Sequence, residues 1–408
     1  MTDMKYLTQR MRRFCAFITG FSFFVSGVLK LIDPVGAGLV IDEYLSFMHM
    51  SFLGVLSKPT GTMLAFAETA IGAALVTGVW RKATAIAAAA FMCFFTLLTL
   101  VLVIFNPEMD CGCFGEAIHL THMQTFLKNI VLCMLLAGAF LPFRDLGGPK
   151  PRKYAAFGIT AASMAAFTIY SLLHIPVVDF TDYRAGSFLQ SAESSYSDID
   201  GDAYEAVFIY EKDGIRKSFG LEELPDSTWT FISTETESKE GYRDTSVPLS
   251  FFDAVGTYHD SEAAHGKVMA IAIHDPHMKA KKWVRIMKFA DNAENAGFRV
   301  LMLAASSGEL IGEELEDIAP DLARQIKERL FYSDYKTLIT AVRSNGGAIY
   351  INDGMIAGKW SNRSLPDAEQ LERLYGTEAE EIMAERTTRS SLSFQGFMLY
   401  VCAVMLLL

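Results

Sequence analysis

Asn106-Pro-Glu-Met-Asp-Cys-Gly-Cys-Phe-Gly115 joins two long apolar runs and carries two of the six cysteines, Cys111 and Cys113, with one glycine between them. Its charged residues are Glu108 and Asp110, and Glu116 follows directly; no Lys or Arg interrupts it. Chain packing alone rarely needs two cysteines so close, so a thiol pair in a loop at a membrane surface points to redox chemistry or metal binding. A Cys-Gly-Cys bridge closes a very small ring, and strained disulfides are the oxidising, labile ones. The plainer alternative is a pair of idle thiols in a tight turn.

Outward from this loop the chain is strongly apolar. Mean hydropathy is +0.24, with 30 Phe and 19 Met. Charge is segregated: residues 176–390 hold 23 basic and 38 acidic side chains, the remainder 13 and 9. This division implies a membrane part and a separate acidic, soluble part, and it argues against nucleic acid as a partner. No cysteine falls between Cys133 and Cys402, so disulfides do not staple the soluble part.

Apolar runs cover residues 14–32, 61–79, 83–105, 126–141 and 154–173. Each is long enough, or nearly so, to cross a hydrocarbon core of about 30 Å. The first is too long for a signal peptide, lacks a clear small-residue cleavage site and is followed by further spans. Residues 35–56, with Asp42, Glu43 and His49, are less uniform and read as an interfacial helix and loop. Lys and Arg collect on one set of connections: Lys5, Arg10, Arg12 and Arg13, then Arg81 and Lys82, then Arg144, Lys150, Arg152 and Lys153. The opposite connections hold only Lys58 before the soluble domain. The amino terminus is therefore expected in the cytoplasm, and the Cys-Gly-Cys loop outside, where thiols meet disulfide chemistry.

Lys30, Glu68 and Lys128 fall in the outer halves of their spans, on the side of the cysteines. An intramembrane charge is costly and is therefore paired, snorkelling or functional. Either lysine alone reads most simply as snorkelling, whereas Glu68 is expected to pair with one of them. Together they form a cluster beneath the loop whose ammonium groups favour a thiolate at Cys111 or Cys113. Cys15, Cys93 and Cys133 read as core thiols.

The stretch Phe24-Val-Ser-Gly-Val-Leu-Lys-Leu-Ile-Asp-Pro34, Glu68 and the Asp-Cys-Gly-Cys-Phe-Gly motif together resemble the DoxX/MauE superfamily over roughly residues 10–145. The resemblance implies a four-helix membrane core and a role in envelope thiol or electron-transfer chemistry, by analogy of fold. It also brings Asp33, beside Lys30 in the motif, into the charge cluster as a tuning or structural residue. A four-helix bundle presenting a cysteine pair to a quinone occurs in the DsbB and vitamin K epoxide reductase families. This chain lacks their Cys-x-x-Cys spacing and is similar only in that logic, which makes a quinone the cofactor to consider.

In the soluble half, residues 176–190 read as a linker and the Ser- and Asp-rich residues 191–202 as a loop. Residues 205–210 and 215–219 form a hairpin about Lys212-Asp-Gly214, 228–234 a further strand, and 235–244 a charged loop. From residue 267 the order is strand 267–273, helix 279–296, strand 298–304, helical 311–329, then 331–333, helix 336–343, strand 348–351, a turn at Asn352-Asp-Gly354, strand 355–360 and a helix near 367–375. That order resembles the thioredoxin fold. Its chemistry is missing: His274-Asp-Pro-His277 stands where a thioredoxin has Cys-x-x-Cys, and Asn345-Gly-Gly347 where it has a cis-proline. The domain should therefore not exchange disulfides itself. His274 and His277 are spaced as metal ligands, but two ligands make an incomplete site, and a solvated turn is the simpler reading. Residues 392–408 form a last apolar run, and Arg386 and Arg389 before it breach the charge rule mildly.

The expected fold is a membrane α-helical bundle with a DoxX/MauE-like four-helix core plus an extracytoplasmic α/β thioredoxin-like domain. Its parts are residues 1–146, a fifth span at 154–175, the soluble domain at 176–390 (β-rich lead-in 176–260, thioredoxin-like 261–380) and a terminal span at 391–408. The expected location is an inner membrane with the large domain periplasmic. Cys111 and Cys113 are the candidate reactive residues, tuned by Lys30, Asp33, Glu68 and Lys128, and they pass electrons between protein thiols and a quinone-type acceptor. The alternative is a non-catalytic scaffold whose acidic domain recruits an envelope partner; a transport path through the charged cluster has less support. The partners expected are the lipid bilayer and an envelope protein.

Overall fold

In the computed structural model, residues 2–107, 109–141, 151–190, 204–212, 215–219, 230–238, 246–308, 310–311 and 320–407 are described. The expected loop at 191–202 and the cations Arg144 and Lys150 lie outside these residues. Helices α1 (Thr2–Ile32), α2 (Pro34–Phe47), α3 (Ser57–Thr77), α4 (Arg81–Phe105), α5 (His122–Phe140) and α6 (Pro151–Leu173) come first. Six helices are long and apolar enough to cross a membrane: these without α2, and a last helix, Ala379–Leu407. Residues 35–56 form α2 and a short 3₁₀ turn, Ser51–Leu56.

Small residues bring α1 and α3 together. A methyl at Gly27 would lie 2.3 Å from Thr69 Oγ1, and one at Gly72 would lie 2.4 Å from Phe24 N. Backbones can approach that closely only through such residues, and in lipid this contact replaces the missing hydrophobic drive between helices. Helix α4 exposes Phe94, Leu97 and Ile104, a face suited to acyl chains and not to water.

The soluble part is built on a seven-stranded sheet. Its strands are β1 (Phe188–Gln190), β5 (Ser246–Pro248), β6 (Lys267–Ile273), β7 (Arg299–Ala304), β8 (Leu330–Tyr332), β9 (Gly347–Asn352) and β10 (Met355–Trp360), in the order β5-β1-β10-β9-β6-β7-β8. Central β6 runs parallel to β7 and antiparallel to β9, and β9 returns as β10 through Asp353 and Gly354, both with positive φ. That two-residue turn has the twist a hairpin needs. Side chains of β6 alternate between faces. Met269, Ile271 and Ile273 pack with Trp283, Ile286 and Phe289 of α8 (Ala280–Asn295); Val268, Ala270 and Ala272 pack with Phe251 and with Leu338 and Ala341 of α10 (Tyr335–Ala341). A short helix α7 (Asp260–Ala264) precedes β6, and α9 (Pro320–Arg329) lies between β7 and β8; α11 (Ala368–Gly376) and α12 (Ala379–Leu407) follow β10. A separate sheet, β3-β2-β4, is made by β2 (Tyr204–Lys212), β3 (Ile215–Phe219) and β4 (Thr230–Ser238).

Three expectations need correcting. Residues 176–190 are no free linker: β1 lies in them and pairs with both β10 and β5, and Asp179 accepts a hydrogen bond from Lys359 at 2.6 Å. Glu235–Ser238, expected in a loop for its charge, continues β4 in pairing with β2. The helix that carries the last apolar run does not start at residue 391: α12 begins at Ala379 in the sheet domain and continues unbroken into the bundle.

Candidate functional site

The cysteine loop is pinned from two helices. Ser26 on α1 donates to the Cys113 carbonyl at 2.6 Å, and Tyr44 on α2 donates to the Cys111 carbonyl at 2.7 Å. Gly112 between them has φ +60, and a Cβ there would meet Val40 Cγ1 at 2.4 Å. Any other residue would suffer both the left-handed backbone and the clash with α2. With backbone carbonyls and glycine fixed, the sulfurs of Cys111 and Cys113 lie 3.7 Å apart, both as free thiols.

Below them the helices enclose a cavity of about 200 Å³ whose walls include Phe91, Phe95 and Leu132, with both cysteines, Lys30, Glu68 and Lys128 at its polar end. Lys30 pairs with Glu68 at 2.5 Å, their side chains 15% and 10% exposed. A buried pair of this kind contributes little net stability, but it holds both charges in place because removing either leaves the other uncompensated. Lys128 stands 4.6 Å from the Phe114 ring centroid, a cation–π contact. Lys30, Glu68 and Lys128 therefore meet beside the thiols.

The two sulfurs are not equivalent. The hydrogen bond from the Cys111 thiol lowers the Cys113 pKa to about 6, and the charges of Lys128 and Lys30 act in the same direction against burial. Cys111 moves the opposite way: it keeps its proton in that hydrogen bond, and burial adds to the rise. This asymmetry favours the thiolate at Cys113, with Cys111 as the proton-bearing partner. The expected result is that at pH 7 iodoacetamide labels Cys113 at least about tenfold faster than Cys111. The Cys113 rate falls as pH drops through about 6. Lys128→Met, and more so Lys30→Met with Lys128→Met, shifts that midpoint to higher pH; peptide mass spectrometry of the labelled protein reads both. Unmoved midpoints would detach the lysines from the sulfur chemistry.

Asp33 is not part of this cluster. It caps α2, accepting from Gly36 N at 2.9 Å, and its other oxygen accepts from Arg343 Nε at 2.8 Å. The same guanidinium reaches Glu116 at 2.8 Å. Glu116 sits in the 3₁₀ turn just past Phe114, so Arg343 of the sheet domain grips the cysteine loop and the start of α2 together. Lys336 adds a contact to Glu43 at 2.7 Å. Sequence reading gave no role to Arg343, Tyr44 or Ser26; Ser26 lies in the Phe24–Pro34 motif and Tyr44 is an aromatic in an interfacial helix, whereas Arg343 carries no local signal.

The remaining candidates separate from the thiols. His274 does not stand in a solvated turn: it is buried, edge-on to Tyr335, and neither ring nitrogen has a hydrogen-bond partner. Burial, with Lys58 nearby, lowers it to about 4. Asn345 accepts from the backbone N–H of His274 and of Asp275, tying the two loops. Among the described residues no group of three or more His, Cys, Asp or Glu is placed to hold a metal ion. Cys15 and Cys133 pack at the bundle core as expected, but Cys93 faces outward on α4.

Fold and site together define a polytopic helical membrane protein with an α/β sheet domain on the end of the bundle that carries a thiol pair. Residues 8–142, the helical region as far as α5, match the family model described as methylamine utilisation protein MauE. Residues 204–240, the three-stranded sheet, match a domain of unknown function (DUF8463). No curated protein and no solved structure matches the chain.

Proposed function

We propose that the Cys111–Cys113 pair is the working centre of a thiol–disulfide or electron-transfer protein of the cell envelope. The observation that carries this reading is the placement of two free sulfurs 3.7 Å apart at the mouth of a charge-lined cavity. Oxidation of the pair, one thiolate and one thiol, joins the sulfurs and releases two electrons and one proton; an acceptor that takes up two protons draws the second from solvent. The aromatic and aliphatic walls, with Lys30 and Lys128 as donors at one end, suit a flat lipophilic quinone, which when bound supplies a two-electron, two-proton sink. The chain's own residues do the rest: Cys113 presents the thiolate, the lysines hold its charge, and Glu68 keeps Lys30 in position.

The sheet domain fits as a docking module. Its β6-α8-β7 unit and the β9–β10 hairpin are in keeping with a thioredoxin-like fold, and without a cysteine it exchanges no disulfide. The basic connections at Arg12, Arg81 and Arg152, at the bundle end away from the cysteines, favour a cytoplasmic amino terminus in an inner membrane and a periplasmic domain. An envelope protein thiol is the electron donor in this reading.

The test is the mass shift on alkylation of the membrane-embedded protein, with and without prior reduction. A cycling pair gains two labels only after reductant, and Cys111→Ser or Cys113→Ser abolishes that difference. Thiols that stay free under every oxidant, together with full function of the double Ser variant, would leave the scaffold reading.

A further inference from the structure

The arginines that breach the charge rule lead to a second site. Where α12 leaves the sheet domain for the bundle, a recess of about 210 Å³ lies between α12, β10, the end of α10 and the chain that follows α6. Its charged lining is Arg184, Arg343, Lys359 and Arg386 against Asp179. Two of the cations are already matched: Lys359 by Asp179, and Arg343 by Asp33 and Glu116. Among the described residues, Arg184 and Arg386 line the recess with no carboxylate in ion-pair contact. The Arg386 guanidinium is held rigid, 4.3 Å over the Trp360 ring and donating to the Lys359 carbonyl at 2.8 Å.

Two arginines without an anion, one of them fixed in advance, are suited to the forked geometry of a phosphate. The hydroxyls of Thr387 and Ser390 on α12 supply further donors, and Val177 and Val178, which pack against the bundle core, make the apolar wall. The recess thus has a cationic head and an apolar flank at the level where the long spans begin. A basic recess beside the ends of two spans lies within reach of anionic lipid headgroups, whose charge attracts Lys and Arg near the surface. We propose that it binds the phosphate-bearing headgroup of an anionic membrane lipid. The two outer arginines then have a counter-charge that the bilayer itself provides.

Native mass spectrometry of the full chain in detergent, titrated with phosphatidylglycerol, phosphatidylcholine or inorganic phosphate, tests this. The expected result is one retained phosphatidylglycerol per chain, bound at least about tenfold more tightly than phosphatidylcholine. Arg184→Gln removes an exposed side chain with no hydrogen-bonded partner, so the fold survives and the preference falls about tenfold; Arg386→Gln acts likewise. Arg324→Gln, on exposed α9, leaves the preference intact. Equal retention of the two lipids, or an unchanged preference in both recess variants, overturns the proposal. Displacement of the lipid by an equal concentration of inorganic phosphate also overturns it, in favour of a free-anion site.

Discussion

Arg343→Met destabilises the folded chain by about 3–5 kcal/mol, because it removes the cation that buried Asp33 shares with the partly exposed Glu116. Arg343 is 3% exposed and Asp33 9%, so water cannot take over the contact that Asp33 loses. The loss shows as a lower melting temperature and as faster hydrogen exchange in α2 and residues 335–347, where the sheet domain meets the bundle. It also depends on pH. Burial raises the Glu116 carboxyl above its ordinary range and Arg343 opposes the rise. Without the guanidinium that pKa climbs further, so the penalty is small in acid and grows as pH rises through the raised value. Adding Asp33→Asn and Glu116→Gln recovers most of the loss. A single variant as stable as the parent, at any pH, would mean that the triad does not hold the domain.

Gly72→Leu has the second large effect. The α1–α3 contact leaves no room for a side chain: the added Cβ meets the backbone of Phe24 at 2.4 Å. Overpacking in a core costs about 1–3 kcal/mol where side chains can shift, and here the obstacle is main chain. The helices must separate, which also pulls Glu68 on α3 away from Lys30 on α1. The yield of monodisperse full-length protein is the readout, with Gly158→Leu as control, since no atom lies within 4 Å of a Cβ there. Equal yields would show that α1 and α3 do not need this approach.

How far the sequence reveals this molecule follows from the range of each interaction. The spans were legible because about 20 apolar residues in a row are a local signal. That Glu68 pairs with one of the two lysines is legible because an isolated carboxylate in lipid is untenable; that the partner is Lys30 comes from the packing of α1 on α3. Strand β6 showed as a continuous apolar run. Asp33 was misplaced because its partner is set by tertiary docking and leaves no mark in the neighbouring sequence. His274 looked solvated because Asp-Pro beside it reads as a turn; what buries it comes from other elements. The three-residue strand Phe188–Gln190 has no periodicity to read, and Glu235–Ser238 was judged by charge although an exposed strand tolerates it.

Asp33 and Arg343 are separated by 310 positions. At a synthesis rate of about 5–20 residues per second, roughly 15–60 s pass between the emergence of the acid and that of its cation. Throughout that interval the nascent bundle carries an open anionic socket, hydrated and unpaired. Dehydration of the two carboxylates therefore belongs to the closing stage of biogenesis, after most of the sheet has been made. A ribosome stalled anywhere before codon 343 leaves behind a helical domain whose cysteine turn has its Ser26 and Tyr44 anchors but not the one from the sheet domain.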